Sequence, residues 1–525
     1  MLDETQLKVI RSLQNTSVYP HDTEQFQLIE THISWVFLCG PYAYKIKKAL
    51  NLGFIDCSTL DKRKFYCEEE LRLNGRLAPE LYLAVVSITG TPDQPQLGGS
   101  GEAFEYAVKM RRFSQQALLS HKLQEHRLTA TQISQVIARI ADFHQSIPAA
   151  SADTRYGNPQ HVAAPVRENF VQMKERLHDP RHLEVLDQLQ AWAEEQYASC
   201  ETYFRQRKEQ GFIRECHGDM HLGNMAVVDG RVIIFDGIEF NPDLYWIDVM
   251  SEVAFLCMDL ESHEKPDVAA RVLNDYLERT GDYQGLRVFR YYLAYRAMVR
   301  AKVACIRWSQ QVQQAGQGQQ SSDTQAFELY LQLALSYTQA QQPVLFITHG
   351  LSGSGKSTLS GSLVEPLAAI RIRSDRERQR LLGKGRKEGE AATIGEGVYS
   401  EDASRQTYSR LTELAEAVLQ SGYSAIIDAT FLERQQRDPF KQLADRLAVP
   451  IRILFFHADA GVLRQRISRR EREGNDISEA DLNVLEHQLE TYTGLGDDEQ
   501  AYTVSIDTES VAESQQLLTL INQSL

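Results

Sequence analysis

Three features common in other protein classes are scarce in this 525-residue chain, and each absence excludes a class. The seven cysteines are odd in number and widely spaced, and none form a Cys-x-x-Cys pair, which argues against a disulfide framework or a zinc site and favours thiols in a reducing compartment. No apolar run approaches the length of a membrane span. The first residues, MLDETQLKVI, lack the basic and apolar segments of a secretory signal. We therefore expect a cytoplasmic protein.

Basic residues are also fewer than acidic residues. The chain has 56 lysines and arginines against 71 aspartates and glutamates, a net charge of −15. An acidic protein is poorly suited to non-specific binding of nucleic acid or anionic membranes, although it can still hold a local basic groove. We expect small-molecule partners rather than a membrane or nucleic acid. The length exceeds what one core supports, so at least two domains are predicted.

A polar, glutamine-rich stretch marks where the chain divides. Residues 309–325, SQQVQQAGQGQQSSDTQ, are nearly free of apolar residues, which predicts a flexible segment. A helix-like stretch follows, and a new pattern starts at Pro343. All seven cysteines precede this point. We predict one domain over 1–340 and a second over 341–525.

The two predicted domains differ in the order of their elements. In the first, the short strands FQLIE, WVFLC and YAYKIK come early and helical periodicity comes later, as around Ile133, Ile137 and Ile140. That order predicts an α+β domain with a small sheet lobe over about 1–110 and a helical lobe over about 115–340. In the second, the strands VLFITH, IRIRS, SAIID, IRILFF and YTVSI alternate with helices. Alternation of this kind predicts an α/β domain with a parallel sheet.

The strongest motif lies in the second domain. Residues 350–357, GLSGSGKS, fit GxxxxGK[ST] in full, after a predicted strand and before a predicted helix. In such a loop, backbone N–H groups and a helix N-terminus surround phosphate oxygens. We expect Lys356 to reach the β- and γ-phosphates and Ser357 to hold Mg²⁺. The predicted ATP-binding residues here are Gly350, Ser352, Gly353, Ser354, Gly355, Lys356, Ser357 and Thr358.

Charged residues elsewhere in this domain favour a kinase. Asp375 follows the second strand, where a carboxylate can take a proton from an acceptor hydroxyl, and Asp428 ends SAIID, where it can support Mg²⁺. The helix LRQRISRRERE offers Arg466 and Arg470 as ATP-binding cations, or it is simply a solvated face. The region resembles zeta-toxin-like and polynucleotide-kinase-like P-loop kinases, a group that includes bacterial proteins called AAA-family ATPases. A full AAA+ ATPase is less favoured, because the domain is short and no sensor-bearing helical domain is evident.

The stretch HGDMHLGN, residues 217–224, is the corresponding signal in the first domain. A predicted hairpin around Asp229-Gly230 follows it and ends at Asp236, so Asp219, Asn224 and Asp236 should lie close together. Protein kinases use an Asp, an Asn five residues later and an Asp after a hairpin in this way. A zinc site at His217 and His221 is disfavoured by Gly218, which discourages a helix.

With His-Gly-Asp and Asp-Gly in place of His-Arg-Asp and Asp-Phe-Gly, the region from about 20 to 335 resembles aminoglycoside phosphotransferases and choline kinases. The resemblance implies that Asp219 acts on the acceptor hydroxyl and that Asn224 and Asp236 hold Mg²⁺. It implies that His217 braces the loop, and it leaves His221 without a role. Asp248, at the start of a helix, is expected to be structural.

A kinase site of this type also needs a cation for the ATP phosphates. Lys45 in AYK matches the lysine of kinase strand three, and Lys47 on the same strand face is the alternative. Glu70, in the predicted helix CEEELRLNGRLAPELY (67–82), is the expected partner, with Glu68 and Glu69 as alternatives. No glycine-rich GxGxxG loop precedes Lys45, so the turn Thr31–Ser34 must cover the phosphates. The strand YAVKMRRF (106–113) is the candidate hinge between the lobes, with an ordinary sheet strand that has a basic outer face as the alternative.

Together these motifs predict a bifunctional ATP- and Mg²⁺-dependent phosphotransferase. Each domain should transfer the γ-phosphoryl group to a hydroxyl of a small molecule. Because the two domains are fused, we further expect both transfers to act on one metabolite or on successive intermediates. The alternatives are a single active P-loop kinase with a ligand-binding pseudokinase in front, a toxin-like kinase acting on a nucleotide sugar, nucleic-acid end or protein, and an ATP-hydrolysing switch. The sequence identifies neither the acceptor nor the oligomeric state.

Overall fold

The computed structural model describes residues 4–24, 26–51, 55–315, 322–381, 401–473, 481–510 and 514–524. The chain forms two compact units. The first contains residues 1–175 and 197–259, and the second contains residues 176–196 and 260–525. The boundary near 340 stays a prediction. Among the described residues, no helix combines the length and the apolar character needed to cross a membrane.

A six-stranded antiparallel sheet opens the first unit, in the order β1-β2-β3-β6-β4-β5. The three short strands predicted early in the chain are confirmed as β1, β2 and β3, which pair in an antiparallel meander, and Lys45 lies between Val36 and Val108 on the neighbouring strands. Trp35, Phe37 and Ile46 are fully buried in the core beneath the sheet. The strands are β1 (Gln27–Glu30), β2 (Ser34–Cys39), β3 (Tyr42–Lys47), β4 (Tyr82–Thr91), β5 (Gln94–Leu97) and β6 (Glu105–Arg111).

Helices and short strands follow, completing the kinase-like α+β fold. The helices are α1 (Glu4–Ser12), α2 (Leu60–Asn74), α3 (Leu119–Gln124), α4 (Ala130–Ser146), α5 (Pro159–Lys174), α6 (Pro180–Glu209), α7 (Pro242–Tyr245) and α8 (Val249–Ser262). The strands are β7 (Ile213–Glu215), β8 (Met225–Val228), β9 (Arg231–Ile234) and β10 (Trp246–Asp248).

The helix that carries Glu70 differs from its predicted limits of 67–82. It begins at Leu60, because the Thr59 side chain accepts a hydrogen bond from the Lys62 N–H and caps the helix. It ends at Asn74, before Gly75 and Pro79. The predicted hairpin is confirmed, since Asp229 and Gly230 both have positive φ, 50° and 77°, as a two-residue type I′ turn requires.

Long helices occupy the middle of the chain: α9 (Pro266–Thr280), α10 (Leu286–Ala315) and α11 (Ser322–Ser336). The prediction of a loop over 309–325 is therefore wrong for residues 309–315 and 322–325, which are helical. Glutamine and alanine are good helix formers, and that preference outweighs the low complexity of the stretch. Residues 316–321 lie outside the described part of the chain.

The P-loop region has a parallel five-stranded sheet in the order β12-β13-β11-β14-β15, as predicted. Its strands are β11 (Leu345–His349), β12 (Ile370–Arg373), β13 (Ala425–Asp428), β14 (Ile451–His457) and β15 (Thr503–Asp507). Its helices are α12 (Lys356–Ser362), α13 (Val364–Leu367), α14 (Ser374–Leu381), α15 (Glu401–Gln420), α16 (Arg434–Leu447), α17 (Ala460–Glu473), α18 (Leu482–Thr491) and α19 (Ser514–Ser524).

Two features of this sheet position the site. The carboxyl ends of β11, β12 and β13 meet at one edge, where a parallel α/β sheet binds its ligands. Strand β12 is one of the two edge strands, and α9 packs against it. The Asn274 side chain of α9 accepts a hydrogen bond of 2.8 Å from the Arg371 N–H of β12.

Candidate active sites

A cavity of about 490 Å³ lies against the antiparallel sheet of the first unit. Its walls are mostly apolar, and its polar groups include Lys45 of β3 and three acidic side chains of the segment 219–240. The turn Thr31–Ser34 lines one side, and Met110 to Phe113, at the end of the candidate hinge strand, lines another. Lys45, Asp219 and Asp236 all reach this cavity. An apolar cavity with a few convergent polar groups is the usual form of a cofactor site.

Two lysines of β3 contact one buried glutamate. The Nζ atom of Lys45 lies 2.8 Å from Glu70 and 2.6 Å from Asp236, while that of Lys47 lies 2.6 Å from the other Glu70 oxygen and pairs with Glu239. The Lys45 side chain is 12% exposed and lines the cavity, whereas that of Lys47 is 3% exposed. Lys45 is thus the lysine that a ligand in the cavity meets.

The alternatives to Glu70 face elsewhere. Glu68 pairs with Lys64 at 3.9 Å, and Glu69 pairs with Arg72 at 2.8 Å. Burial alone would raise the pKa of Glu70, but Lys45 and Lys47 outweigh it and hold that pKa at about 2. Glu70 is therefore an anion at neutral pH.

The loop 217–224 brings the predicted trio together. The Asn224 amide donates hydrogen bonds to the Asp219 carboxylate at 2.9 Å and to the Asp236 carbonyl oxygen at 3.5 Å. Asp236 has a φ of 61°, a conformation that is uncommon outside glycine, and its N–H donates to the Tyr82 hydroxyl at 3.0 Å. Half of its side chain is exposed. Oxygen ligands from Asn and Asp fit a magnesium ion at this place.

Buried groups that sequence reasoning missed hold this loop. Glu252 of α8 accepts hydrogen bonds from the His217 and Gly218 N–H groups, and the His144 ring lies 3.0 Å from it. Although burial opposes ionisation, the hydrogen bond and charge of His144 and the other contacts lower the Glu252 pKa to about 2. The carboxylate is therefore charged. Asp259 accepts a further hydrogen bond from the Leu222 N–H at 2.9 Å.

The two histidines of the loop have separate contacts. The Nε2 atom of His217 is 3.0 Å from the Phe235 carbonyl oxygen, and its Nδ1 accepts from the Asp219 N–H at 3.3 Å. Burial lowers the pKa of His217, which favours the neutral ring. His221 accepts from the Gly223 N–H at 3.1 Å and lies 3.5 Å from Asp219. Asp248 accepts from the Met250 N–H at 2.9 Å and pairs with Arg207 at 2.6 Å, and both of these contacts are structural.

A second cavity, of about 550 Å³, opens at the carboxyl edge of the parallel sheet. Most of the predicted residues line it: Ser352, Gly353, Gly355, Lys356, Ser357, Thr358, Asp375, Asp428, Arg466 and Arg470. Ser354 is buried behind the loop, with its hydroxyl 3.4 Å from the Lys356 Nζ. Gly350 begins the loop, and a Cβ there would lie 2.2 Å from the Phe456 carbonyl oxygen.

The loop lysine is folded back onto its own loop. Lys356 donates hydrogen bonds to the carbonyl oxygens of Gly350 and Leu351 at 2.9 and 2.8 Å. Burial lowers its pKa to about 8. The Ser352 N–H donates to the Gln488 side chain of α18 at 2.8 Å. A phosphate entering the loop would exchange these internal contacts for its own oxygens.

The aspartate at the end of β13 lies beside the loop serine. Ser357 donates to one Asp428 oxygen at 3.1 Å. The other oxygen, Oδ2, is buried and has no hydrogen-bond partner among the described residues. Arg371 and Arg373 of β12 lie 3.9 Å from it. A buried carboxylate oxygen beside a hydroxyl is the donor set that a hard cation takes, so Ser357 and Asp428 fit Mg²⁺.

The remaining charges surround the same cavity. Asp375 begins α14, and burial raises its pKa despite Arg378, 3.4 Å away. Arg466 of α17 donates to the Thr508 hydroxyl at 2.8 Å and to the Gly353 carbonyl oxygen at 3.4 Å, which ties that helix to the loop. Arg373, Arg378 and Gln488 line the cavity too, and sequence reasoning did not nominate them for the site.

Two protein-family models match separate parts of this chain. Residues 66–289 match the sequence model of the phosphotransferase enzyme family. Residues 345–495 match that of the AAA domain. The chain is an ATP-dependent kinase. The family matches confirm the predicted pairing of a phosphotransferase-like region with a P-loop region, and the first match includes the loop 217–224, Asp236 and helix α9.

This kinase has relatives along most of its length. Uncharacterised proteins of Mycobacterium tuberculosis and Mycobacterium bovis are 29% identical over 449 residues, 86% of this chain and 87% of theirs. Among solved structures, a choline kinase from Cryptosporidium parvum covers 62% of this chain and 94% of its own, at 10% identity and a TM-score of 0.37. A sugar kinase from Janibacter covers 35% of this chain and 92% of its own, at 22% identity and a TM-score of 0.26.

Proposed function

We propose that this kinase has two separate ATP- and Mg²⁺-dependent sites, each transferring the γ-phosphoryl group to a hydroxyl of a small molecule. The observation that supports the proposal is that each cavity is lined by a lysine and two aspartates: Lys45, Asp219 and Asp236 in front, and Lys356, Asp375 and Asp428 at the rear. The cytoplasmic location and the order of the two steps stay predictions.

In the front cavity, Lys45 is the group that would bind the ATP phosphates. Its pairing with Glu70 and Asp236 fixes the ammonium group in the cavity and raises the pKa of Lys45 well above its usual value, although burial acts in the opposite direction. A lysine that stays charged can meet phosphate oxygens without first gaining a proton. The apolar wall near Met110 suits a flat base.

Asp219 and Asp236 are proposed to have different tasks. Asp219 is oriented by the Asn224 amide, and we assign it to the acceptor hydroxyl, which it orients and from which it takes a proton. Asn224 and Asp236 would hold Mg²⁺. The chemistry that the ion would supply there is to offset the negative charge that develops on the transferred phosphoryl group.

In the rear cavity, the loop 350–357 and Lys356 would surround the phosphates, and Ser357 and Asp428 would hold Mg²⁺. Asp375 is the proposed base. Because burial raises its pKa, it holds a proton more strongly than an exposed aspartate does, which favours accepting one from a hydroxyl. Arg466 and Arg470 are placed to meet phosphate charge from the side of α17.

The front site is tested with the rear site silenced by Lys356→Ala. In that background, Asp219→Asn should keep its affinity for Mg·ATP and lose transfer by roughly 10²–10⁴-fold, the scale of general-base and orienting groups. Asp236→Asn should weaken Mg·ATP binding as well. Calorimetry with ATP and Mg²⁺ measures the binding, and ATP consumption in a screen of hydroxylated metabolites measures the transfer.

Three results separate the possibilities. If the two aspartate variants bind Mg·ATP as their parent does, Asp236 is not a metal ligand. If the parent with Lys356→Ala binds no nucleotide, the front region is a pseudokinase. If Lys356→Ala leaves ATP binding and turnover of an otherwise unchanged chain intact, the rear assignment is wrong.

A further inference from the structure

Three arginines of the P-loop region converge on one glutamate of α9. The carboxylate of Glu278 lies 3.4 Å from Arg371, 3.3 Å from Arg373 and 3.5 Å from Arg376. The side chains of Arg371, Arg373 and Glu278 are each 13% exposed, so this cluster is largely shielded from water. Helix α9 lies within the residues that match the phosphotransferase family, outside those that match the AAA domain.

Two of these arginines lie between two carboxylates. Arg371 and Arg373 contact Glu278 on one side and approach Asp428 to 3.9 Å on the other. That distance is too long for a hydrogen bond, and the Asp428 Oδ2 atom has no hydrogen-bond partner among the residues that the structure describes. Arg371 is also anchored by a 2.7 Å hydrogen bond to the Ser357 carbonyl oxygen. The Nη1 atom of Arg373 donates a hydrogen bond of 3.3 Å to the Glu278 carboxylate.

We propose that Glu278 is a positioning residue for the rear site, which holds the arginines of β12 away from Asp428 and so keeps the Asp428 carboxylate available to a divalent cation. The inference rests on the proposed role of Asp428 at the Mg²⁺ site. If Glu278 loses its charge, Arg373 can turn to Asp428 and form a charge-assisted hydrogen bond there. That bond competes directly with the cation.

The consequence is that a helix from the phosphotransferase-family region tunes the metal affinity of the P-loop region. The charges explain why the effect is specific. Glu278 offsets part of the positive charge of Arg371, Arg373 and Arg376, and losing it leaves a larger positive charge next to the site of a cation. Both the competition and the repulsion weaken Mg²⁺ binding, whereas a positive site does not weaken binding of the ATP anion itself.

The experiment measures ATP binding to the full chain by calorimetry, in Mg²⁺ and in EDTA. All proteins carry Asp236→Asn to weaken the front site, and the heat that Lys356→Ala removes defines the rear-site signal. Glu278→Gln should reduce the gain in ATP affinity given by Mg²⁺ by about tenfold, the scale of one hydrogen bond to a charged group. In EDTA its ATP affinity should not weaken. A general loss of structure would instead lower affinity under both conditions.

A matched control and a rescue complete the test. Glu365 of α13 also faces α9 and lies 3.6 Å from Arg271, so Glu365→Gln removes the same charge without touching the β12 arginines and should leave the Mg²⁺ effect unchanged. Adding Arg373→Gln to Glu278→Gln should restore most of it. If Glu278→Gln behaves like Glu365→Gln, or if Arg373→Gln restores nothing, the inference is overturned while the rear kinase site stands. If Mg²⁺ gives the parent no gain in ATP affinity, the Asp428 assignment and the inference fall together.

Discussion

Replacing the buried Glu252 by glutamine tests what holds the loop 217–224 in place. The change keeps the shape of the side chain but removes its charge. In the parent, the two carboxylate oxygens accept hydrogen bonds from the His217 and Gly218 N–H groups. In the variant, the amide N–H₂ group replaces one of these oxygens and faces an N–H that it cannot accept from. The folded-state pKa of about 2, against an ordinary value of 4.5, corresponds to about 3 kcal/mol of stabilisation at roughly 1.4 kcal/mol per unit. Losing one hydrogen bond to a charged group, about 1.5–3 kcal/mol, gives the same scale.

Hydrogen–deuterium exchange of a peptide covering residues 213–224 measures this directly. A loss of about 3 kcal/mol should speed exchange of the loop amides by roughly a hundredfold at pH 7, if they exchange through opening of the loop. Front-site turnover should fall with it, because Asp219 lies in the loop. Glu264→Gln, an exposed glutamate just after α8, is the control for charge and should change neither quantity.

The pH dependence adds a check on sign. The folded-state pKa of Glu252 is lowered, so its stabilisation is complete above about pH 4.5 and is lost as the pH falls towards 2. The difference between parent and Glu252→Gln should therefore shrink over that range. A difference that is already below 1 kcal/mol at pH 7, with normal turnover, would refute the reasoning, since the carboxylate would then not be holding the loop.

Two further predictions concern the lysines. Lys47→Met should destabilise the first unit by about 3–5 kcal/mol, because it strands the buried Glu239, and Lys47→Met with Glu239→Leu should recover much of this in urea unfolding. If Lys47→Met alone is as stable as the parent, the Lys47–Glu239 ion pair does not stabilise the fold. ATP affinity at the rear site should fall as the pH rises above about 8, where free Lys356 loses its proton, and calorimetry on Lys356→Arg should show no such fall. An equal fall in both proteins would assign the titration to another group.

Motifs with short, fixed spacing could be read from the sequence. The loop 350–357 binds through backbone groups of consecutive residues, so its local sequence nearly determines its structure. The five-residue step from Asp219 to Asn224 and the hairpin before Asp236 are equally local, and the structure brings these three residues together. The sequence placed Lys45 and Lys47 on the same strand face but could not distinguish which of them is the phosphate-binding candidate. That choice depends on which side chain reaches the cavity.

The supporting carboxylates could not be read in this way. Glu252, Glu239 and Glu278 are not part of any short motif, and they act on partners 34, 192 and 93 residues away. Burial of an acid is decided by tertiary packing, which a single sequence does not display. The loop prediction for residues 309–315 was wrong for another reason. Low complexity was given more weight than the helix preference of glutamine and alanine.

The covering of β12 by α9 also bears on whether this edge of the sheet can pair with a strand of another molecule. An edge strand presents unpaired N–H and carbonyl groups that can recruit a strand from another molecule. Here the Asn274 side chain occupies the Arg371 N–H, and the carboxylate of Glu278 occupies the arginine side chains of the same strand. A cut near residue 340 would strip this cover from the edge. The freed P-loop fragment would expose a short strand that carries arginines, so its solubility, as well as its metal affinity, would depend on the preceding part of the chain.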